Sequence, residues 1–133
     1  MTDAVDSNVL GDGLRNHIVR LQNTSDGTGE SAVVKVDAST LVGPIKNAAP
    51  SYFAIKNVQY DISGFTAVNL LFDATTDDAA LTLSPGQGYM DFDDMGNFND
   101  PQSTGTTGDI VLTTVGAAAA ATYDITLHLI KKQ

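Results

Sequence analysis

The chain has 133 residues, with 16 acidic and 7 basic side chains that give a net charge of −9. A surface that binds nucleic-acid phosphates needs clustered lysine and arginine. The basic residues here are scattered along the sequence, so we expect no nucleic-acid partner. No apolar run approaches the roughly 18 residues that cross a bilayer, so we expect no membrane partner. The absence of cysteine excludes disulfides and thiolate chemistry, and the length fits one domain.

The choice of acidic residue predicts the fold class. Glu30 is the single glutamate, and every other acid is an aspartate. Aspartate hydrogen-bonds to its own backbone and therefore favours caps and turns over helix interiors. Together with abundant threonine and 12 glycines, this composition is typical of short strands joined by polar turns. We predict an all-β fold, a β-sandwich of jelly-roll type with about eight short antiparallel strands.

The first fourteen residues differ from the rest of the chain. They contain Val5, Val9 and Leu10 among small, polar and acidic residues, with neither helical nor strand periodicity. We interpret residues 1–14 as an extended N-terminal arm, followed by a single β-sandwich domain over residues 15–133. The three apolar side chains of this arm are interface candidates that would pack on a neighbouring subunit or another protein.

Strands are predicted next along the chain. Residues 15–23 form the first, and residues 31–37 are interpreted as its hairpin partner across a loop rich in glycine, serine and aspartate. In residues 52–62 the apolar face changes parity near Lys56 and Asn57. A β-bulge is the simplest cause of such a change.

The second half of the chain carries the strongest strand patterns. Residues 67–74 are apolar on one face and mixed on the other, which predicts a central strand. Residues 80–84 are predicted to form a short strand. Residues 108–114 and 122–132 alternate with a period of two and are interpreted as a C-terminal hairpin.

The segment GQGYMDFDDMGNFNDP, residues 86–101, is interpreted as an acidic loop. Its carboxylates suggest calcium, but an EF-hand register that starts at Asp91 would place Met95 and Gln102 where oxygen ligands are required. The segment also contains five large apolar residues. These either enter the core or contact a partner, and they complete the set of interface candidates: Tyr89, Met90, Phe92, Met95 and Phe98.

Catalytic signatures are not found in the sequence. There is no Gly-x-Ser-x-Gly element. His128 and Asp124 lie on one strand face but about 13 Å apart along an extended chain, too far for a catalytic hydrogen bond. Adjacent aspartates such as Asp77 and Asp78 point to opposite faces of a strand. We therefore predict a non-enzymatic protein without catalytic residues, metal ligands or cofactors.

Two segments carry a family resemblance: YDISGFTAVNLLFD in the middle and TGDIVLTTVGAAAAATYDITLHLIKKQ at the end. With these, about a third of the chain, the sequence resembles the decoration or cement proteins of tailed-bacteriophage virions. The resemblance implies a β-rich structural module on the capsid exterior, often a homotrimer, whose partner is the major capsid protein. It transfers no functional residue position by position, and a tail or neck component of the same fold would match equally well.

A jelly-roll carbohydrate-binding module is the alternative. Such a module would use an aromatic platform, and the chain contains no tryptophan. The platform would have to be built from tyrosines, for which the candidates are Tyr52, Tyr60, Tyr89 and Tyr123.

Overall fold

Two antiparallel β-sheets form the fold in the computed structural model, which describes residues 4–43, 45–46 and 48–132, with the side chains of Ala4 and Met95 left aside. Over these residues the strands are β1 (Ala4–Asp12), β2 (Asn16–Asp26), β3 (Val33–Val36), β4 (Tyr52–Ser63), β5 (Ala67–Phe72), β6 (Asp78–Leu83), β7 (Gly86–Asp91), β8 (Phe98–Asn99), β9 (Ile110–Val115) and β10 (Ala119–Lys132). Sheet A has the order β1-β2-β10-β4-β7, with β8 beside β4, and sheet B has the order β3-β9-β5-β6. The prediction of an all-β sandwich is confirmed.

A single hydrophobic core lies between the sheets and follows the period of two in the sequence. In β10, Tyr123, Ile125 and Leu127 are buried, while the residues between them are partly exposed. The predicted central strand is β5, which lies between β9 and β6. Its side chains Val68 and Leu70 are buried in the core between the two sheets. Each such side chain contributes about 1.5–3 kcal/mol on burial.

The parity change in the fourth strand is a β-bulge, as predicted. His128 of β10 lies opposite Asn57, but the next residue, Leu129, lies opposite Ile55. Lys56 is therefore the extra residue, and it moves the inward face from one parity to the other.

The two predicted hairpins are wrong. β2 pairs with β1 and β10 in sheet A, whereas β3 pairs with β9 in sheet B. The last two strands, β9 and β10, also belong to different sheets. Sequence neighbours often pair, but in a sandwich a connection can equally cross from one sheet to the other, and the alternation within a strand does not distinguish these outcomes.

The segment predicted as an irregular arm contains a strand. β1 pairs antiparallel with β2 from Ala4 opposite Thr24 to Asp12 opposite His17, with a register shift at Leu10. The described side chains of β1 are largely exposed. An edge strand held by backbone hydrogen bonds needs little apolar periodicity, which is why the sequence pattern missed it.

The segment predicted as an acidic loop is also mostly ordered structure. β7 covers Gly86–Asp91 and β8 covers Phe98–Asn99, both paired with β4. A three-residue 3₁₀ turn, Asp93–Met95, separates them. Polar and glycine-rich composition concealed these edge segments because their outward side chains need not be apolar.

Candidate functional site

Large apolar side chains that reach solvent are concentrated at one margin of the sandwich. Ten such side chains are exposed among the described residues, and eight of them lie in β1, β3 or the adjoining loops. We call this set the β1/β3 edge: Val5, Val9, Leu10, Leu14, Val33, Val34, Val42 and Ile45. Exposed large apolar side chains gathered in these elements of an otherwise acidic domain make this margin a candidate interaction site.

The cluster exists because sheet A extends beyond sheet B. Val9 lies opposite Val19 in the register of β1 and β2, and Val19 is buried between the sheets. Paired residues point to the same sheet face, so Val9 lies on the inner face of sheet A, as does Val5. Both are nevertheless exposed, by 58% and 45%, because β3 already ends sheet B on this side.

A buried polar cluster joins β3 to β2 across the two layers. One carboxylate oxygen of Glu30 accepts hydrogen bonds from Asn23 Nδ2 at 2.7 Å and from the Tyr123 hydroxyl at 2.5 Å. The other lies 2.5 Å from Lys35 Nζ of β3. These contacts hold β3 opposite β2, and therefore place the outer strands β1 and β3 on the same side of the sandwich.

Lys131 fixes the loops at one end of this edge. Its side chain is 1% exposed, and Nζ donates to Asp12 Oδ1 at 2.6 Å, Gly13 O at 2.6 Å and Val42 O at 2.8 Å. The hydrogen bond from Lys131 lowers the pKa of the Asp12 carboxyl, and a bond to His17 Nδ1 at 3.1 Å adds to the effect against partial burial. The β1–β2 turn and the loop after β3 are thus held together.

Four of the eight predicted interface residues are exposed. Val5, Val9 and Leu10 lie on the β1/β3 edge, and Tyr89 is exposed on β7, at the opposite side of sheet A.

Three further apolar residues of the 86–101 segment are partly buried against the core. Met90, Phe92 and Phe98 pack against it. The Phe98 ring lies 6.0 Å from Phe72 and 5.7 Å from Phe92, between ring centroids. These three side chains are thus only partly exposed, and the side chain of Met95 lies outside those described.

Five residues of the edge were missed by sequence reasoning: Leu14, Val33, Val34, Val42 and Ile45. Two of them, Val33 and Val34, lie within the predicted second strand. Because that strand was predicted to pair with the first, its side chains were not expected at an exposed edge. An adjacent pair of valines points to both faces of a strand. In a short edge strand, such a pair indicates that at least one of the two side chains is exposed. The Val33–Val34 pair was the sequence signal that could have identified this part of the edge.

Other kinds of site find no support in the described part of the chain. No group of three or more histidine, aspartate or glutamate residues there could hold a metal ion. In the former calcium candidate, Asp91 Oδ1 accepts from the backbone N–H of Asp93 at 2.9 Å, as expected of a turn. His128 Nε2 lies 3.1 Å from Asn16 Oδ1. Burial lowers the pKa of this histidine, and the positive charge of nearby Lys56 lowers it further.

Comparison of the sequence with protein-family models and with curated proteins gave no match. Within the described residues, no helix is long and apolar enough to span a membrane.

Proposed function

We propose that this chain is a non-enzymatic virion structural protein that binds the assembled capsid of a tailed phage and stabilises it, as a homotrimeric decoration or cement protein on the capsid exterior. The observation that carries the proposal is the β1/β3 edge. It combines exposed apolar side chains with the free backbone edge of β1, which among the described strands pairs only with β2. A strand edge of this kind accepts a further strand from a partner.

The strand order supports the proposal. Most connections between β2 and β10 cross from one sheet to the other. The exceptions are β5–β6, which are neighbours in sheet B, and β7–β8, which both pair with β4 in sheet A. The order β2-β10-β4-β7 then faces β3-β9-β5-β6. We infer that the sandwich is a jelly roll, an architecture that occurs in viral capsid domains as well as in lectins.

The energetics suit a protein that binds a lattice. Val5, Val9 and Leu10 are 45–58% exposed, so covering each would contribute about half of the 1.5–3 kcal/mol that complete burial of such a side chain provides. This gain is offset by the entropy lost on association. A single edge therefore binds weakly. A trimer that engages several capsid subunits at once multiplies its effective affinity by avidity, and the net charge of −9 keeps the free protein soluble before it binds.

Cosedimentation with expanded phage capsids that lack the protein tests the proposal. The wild-type chain should sediment with capsids, and Val5→Asp with Val9→Asp should weaken binding by more than tenfold, because two charges would be buried in the interface. The matched control is Ala79→Asp with Thr82→Asp, two exposed positions on β6, at the opposite side of sheet B. Sedimentation equilibrium of the free protein should give the mass of a trimer.

Two results would overturn this assignment. A wild-type protein that stays in the supernatant with capsids but binds isolated tails would be a tail component. Equal loss of binding in the β6 control would show that added charge, and not the β1/β3 edge, determines the interaction.

A further inference from the structure

The outward face of sheet A contains an open trough of about 780 Å³. It extends from Leu10 on β1 to Tyr89 on β7, across the five strands β1, β2, β10, β4 and β7. We propose that this trough binds an uncharged oligosaccharide, a function separate from capsid binding.

The floor of the trough consists of side chains in register. Thr126 of β10 lies opposite both Arg20 and Gln59, and Gln59 lies opposite Tyr89. These four residues form a row across four strands, a span of about 14 Å. Because the strands are already paired on either side, the trough presents side-chain groups instead of backbone groups, which favours a ligand recognised by hydroxyl contacts over an added peptide strand.

A second row of polar side chains lies beside the first. Asp124 lies opposite both Gln22 and Asp61, and Asp61 lies opposite Gln87. Side-chain amides offer both donors and acceptors, and carboxylates offer acceptors in fixed planes. Sugar hydroxyls both donate and accept, so neighbouring hydroxyls on one ring match such planar groups.

The polar groups are held in place before any ligand binds. Arg20 donates to Asp124 through Nε at 2.9 Å and through a terminal nitrogen at 2.5 Å, a bidentate pair. Gln87 Nε2 donates to Asp61 Oδ2 at 3.3 Å. A site built on strands and supported by its own hydrogen bonds loses little entropy on binding.

Tyr89 supplies the apolar surface that an oligosaccharide needs. Its side chain is 56% exposed at the β7 end of the trough. An aromatic ring is apolar over both faces and polar at the hydroxyl, so it can stack on the C–H face of a sugar ring. At its β1 end the trough borders the β1/β3 edge at Leu10.

The charge of the trough selects against acidic ligands. Asp61 and Asp124 contribute two negative charges and Arg20 one positive charge. Arg20 is already paired with Asp124, so a phosphate or an acidic sugar would find no free cation there and would face Asp61. An uncharged glycan avoids this repulsion.

The test is a titration followed by ¹H–¹⁵N correlation spectra of the full chain. The probes are maltohexaose, mannohexaose, hexa-N-acetylchitohexaose and a galactan hexasaccharide, with oligogalacturonate as the acidic comparison. We expect at least one uncharged probe to shift the amide signals of β4, β7 and β10 with a Kd in the range of about 0.01–1 mM, and oligogalacturonate to leave them unchanged.

Variants then locate the site. Tyr89→Ala and Gln59→Ala should each weaken binding about tenfold, and Tyr89→Phe should retain it because the ring remains. Thr82→Ala, an exposed substitution on sheet B, is the matched control. The proposal is overturned if no uncharged probe binds at 10 mM, about tenfold above the expected range, if only oligogalacturonate binds, or if Tyr89→Ala and Gln59→Ala bind as wild type. Capsid cosedimentation of Tyr89→Ala should stay normal, which separates this proposal from the previous one.

Discussion

Glu30 Oε2 and Lys35 Nζ lie 2.5 Å apart in an ion pair whose side chains are only 6% and 3% exposed. Glu30, the single glutamate of the chain, also accepts hydrogen bonds from Asn23 and Tyr123. The pair therefore joins the segment that leads into β3 to two strands of the opposite sheet. Loss of one member of a buried ion pair leaves an uncompensated charge, whereas loss of both charges does not.

This asymmetry predicts the behaviour of three variants. Lys35→Met and Glu30→Gln should each lower the free energy of unfolding by about 3–5 kcal/mol, because each leaves one buried charge unpaired. The double variant should lose less than either single variant, since glutamine keeps an amide oxygen for Asn23 and Tyr123. Urea denaturation measures all three. Additive losses in the double variant would mean that the two side chains act independently.

Lys131 should be far more important for stability than its neighbour. Lys131→Met leaves two backbone carbonyls and the Asp12 carboxylate without their shared donor, and we expect a loss of about 2–4 kcal/mol. Lys132→Met removes the same charge one residue later and should change stability by less than about 0.5 kcal/mol. Thermal and urea unfolding measure both variants. If Lys131→Met and Lys132→Met lose the same stability, the three hydrogen bonds of Lys131 do not have the role assigned to them.

Two truncations test whether β1 is part of the folded core. Removal of residues 1–9 should leave a cooperative β domain, because the described side chains of that segment are largely exposed. Removal of residues 1–14 should cost more, because it also deletes Asp12 and Gly13, which accept from Lys131. Circular dichroism and urea midpoints provide the comparison. Loss of the fold on removing residues 1–9 would show that β1 is essential to it.

Asp100 should oppose folding at neutral pH. The residue is 4% exposed, its Oδ1 accepts from the Gln102 N–H at 2.7 Å, and no partner for Oδ2 lies among the described residues. Burial raises the pKa of this carboxyl, and nearby Asp78 adds to the effect, against the bond from Gln102. The folded state thus binds the proton more tightly than the unfolded state, so this group destabilises as pH rises from its ordinary value through the raised one.

Asp100→Asn should accordingly be more stable than wild type at pH 7, and its advantage should shrink as pH falls toward 3. Paired urea titrations at the two pH values measure the change. Asp94→Asn, at an exposed position, is the control for the loss of one charge. An advantage that grows toward acid pH would show that the sign is wrong.

Gly108 is required by a close backbone approach. Its φ is +81°, and a Cβ there would lie 2.8 Å from the carbonyl carbon of Ser51 and closer still to its oxygen. Gly96 has a similar φ of +77°, but no atom would lie within 4 Å of a Cβ added to it. Gly96→Ala should therefore cost only the left-handed backbone term, about 1–2 kcal/mol, and Gly108→Ala should cost clearly more in thermal unfolding. Equal costs would mean that Ser51 moves freely.

The sequence by itself determined the features that depend on a few neighbouring residues. The alternation in residues 122–132 marked the inward face of β10, and the parity change at Lys56 located the bulge. Both follow from the two-residue period of a strand. The composition was enough for the all-β class because aspartate, threonine and glycine act through local backbone preferences.

Only the tertiary structure decided which strands pair and which apolar side chains remain exposed. Residues 15–23 and 31–37 have the pattern of a hairpin, yet β2 and β3 lie in different sheets. Phe98 packs against the core and Val9 is exposed, although both are apolar residues in polar segments. Pairing and burial depend on contacts between residues distant in sequence. The β1/β3 edge is exposed because β1 lies beyond the end of sheet B, and no local pattern encodes that position.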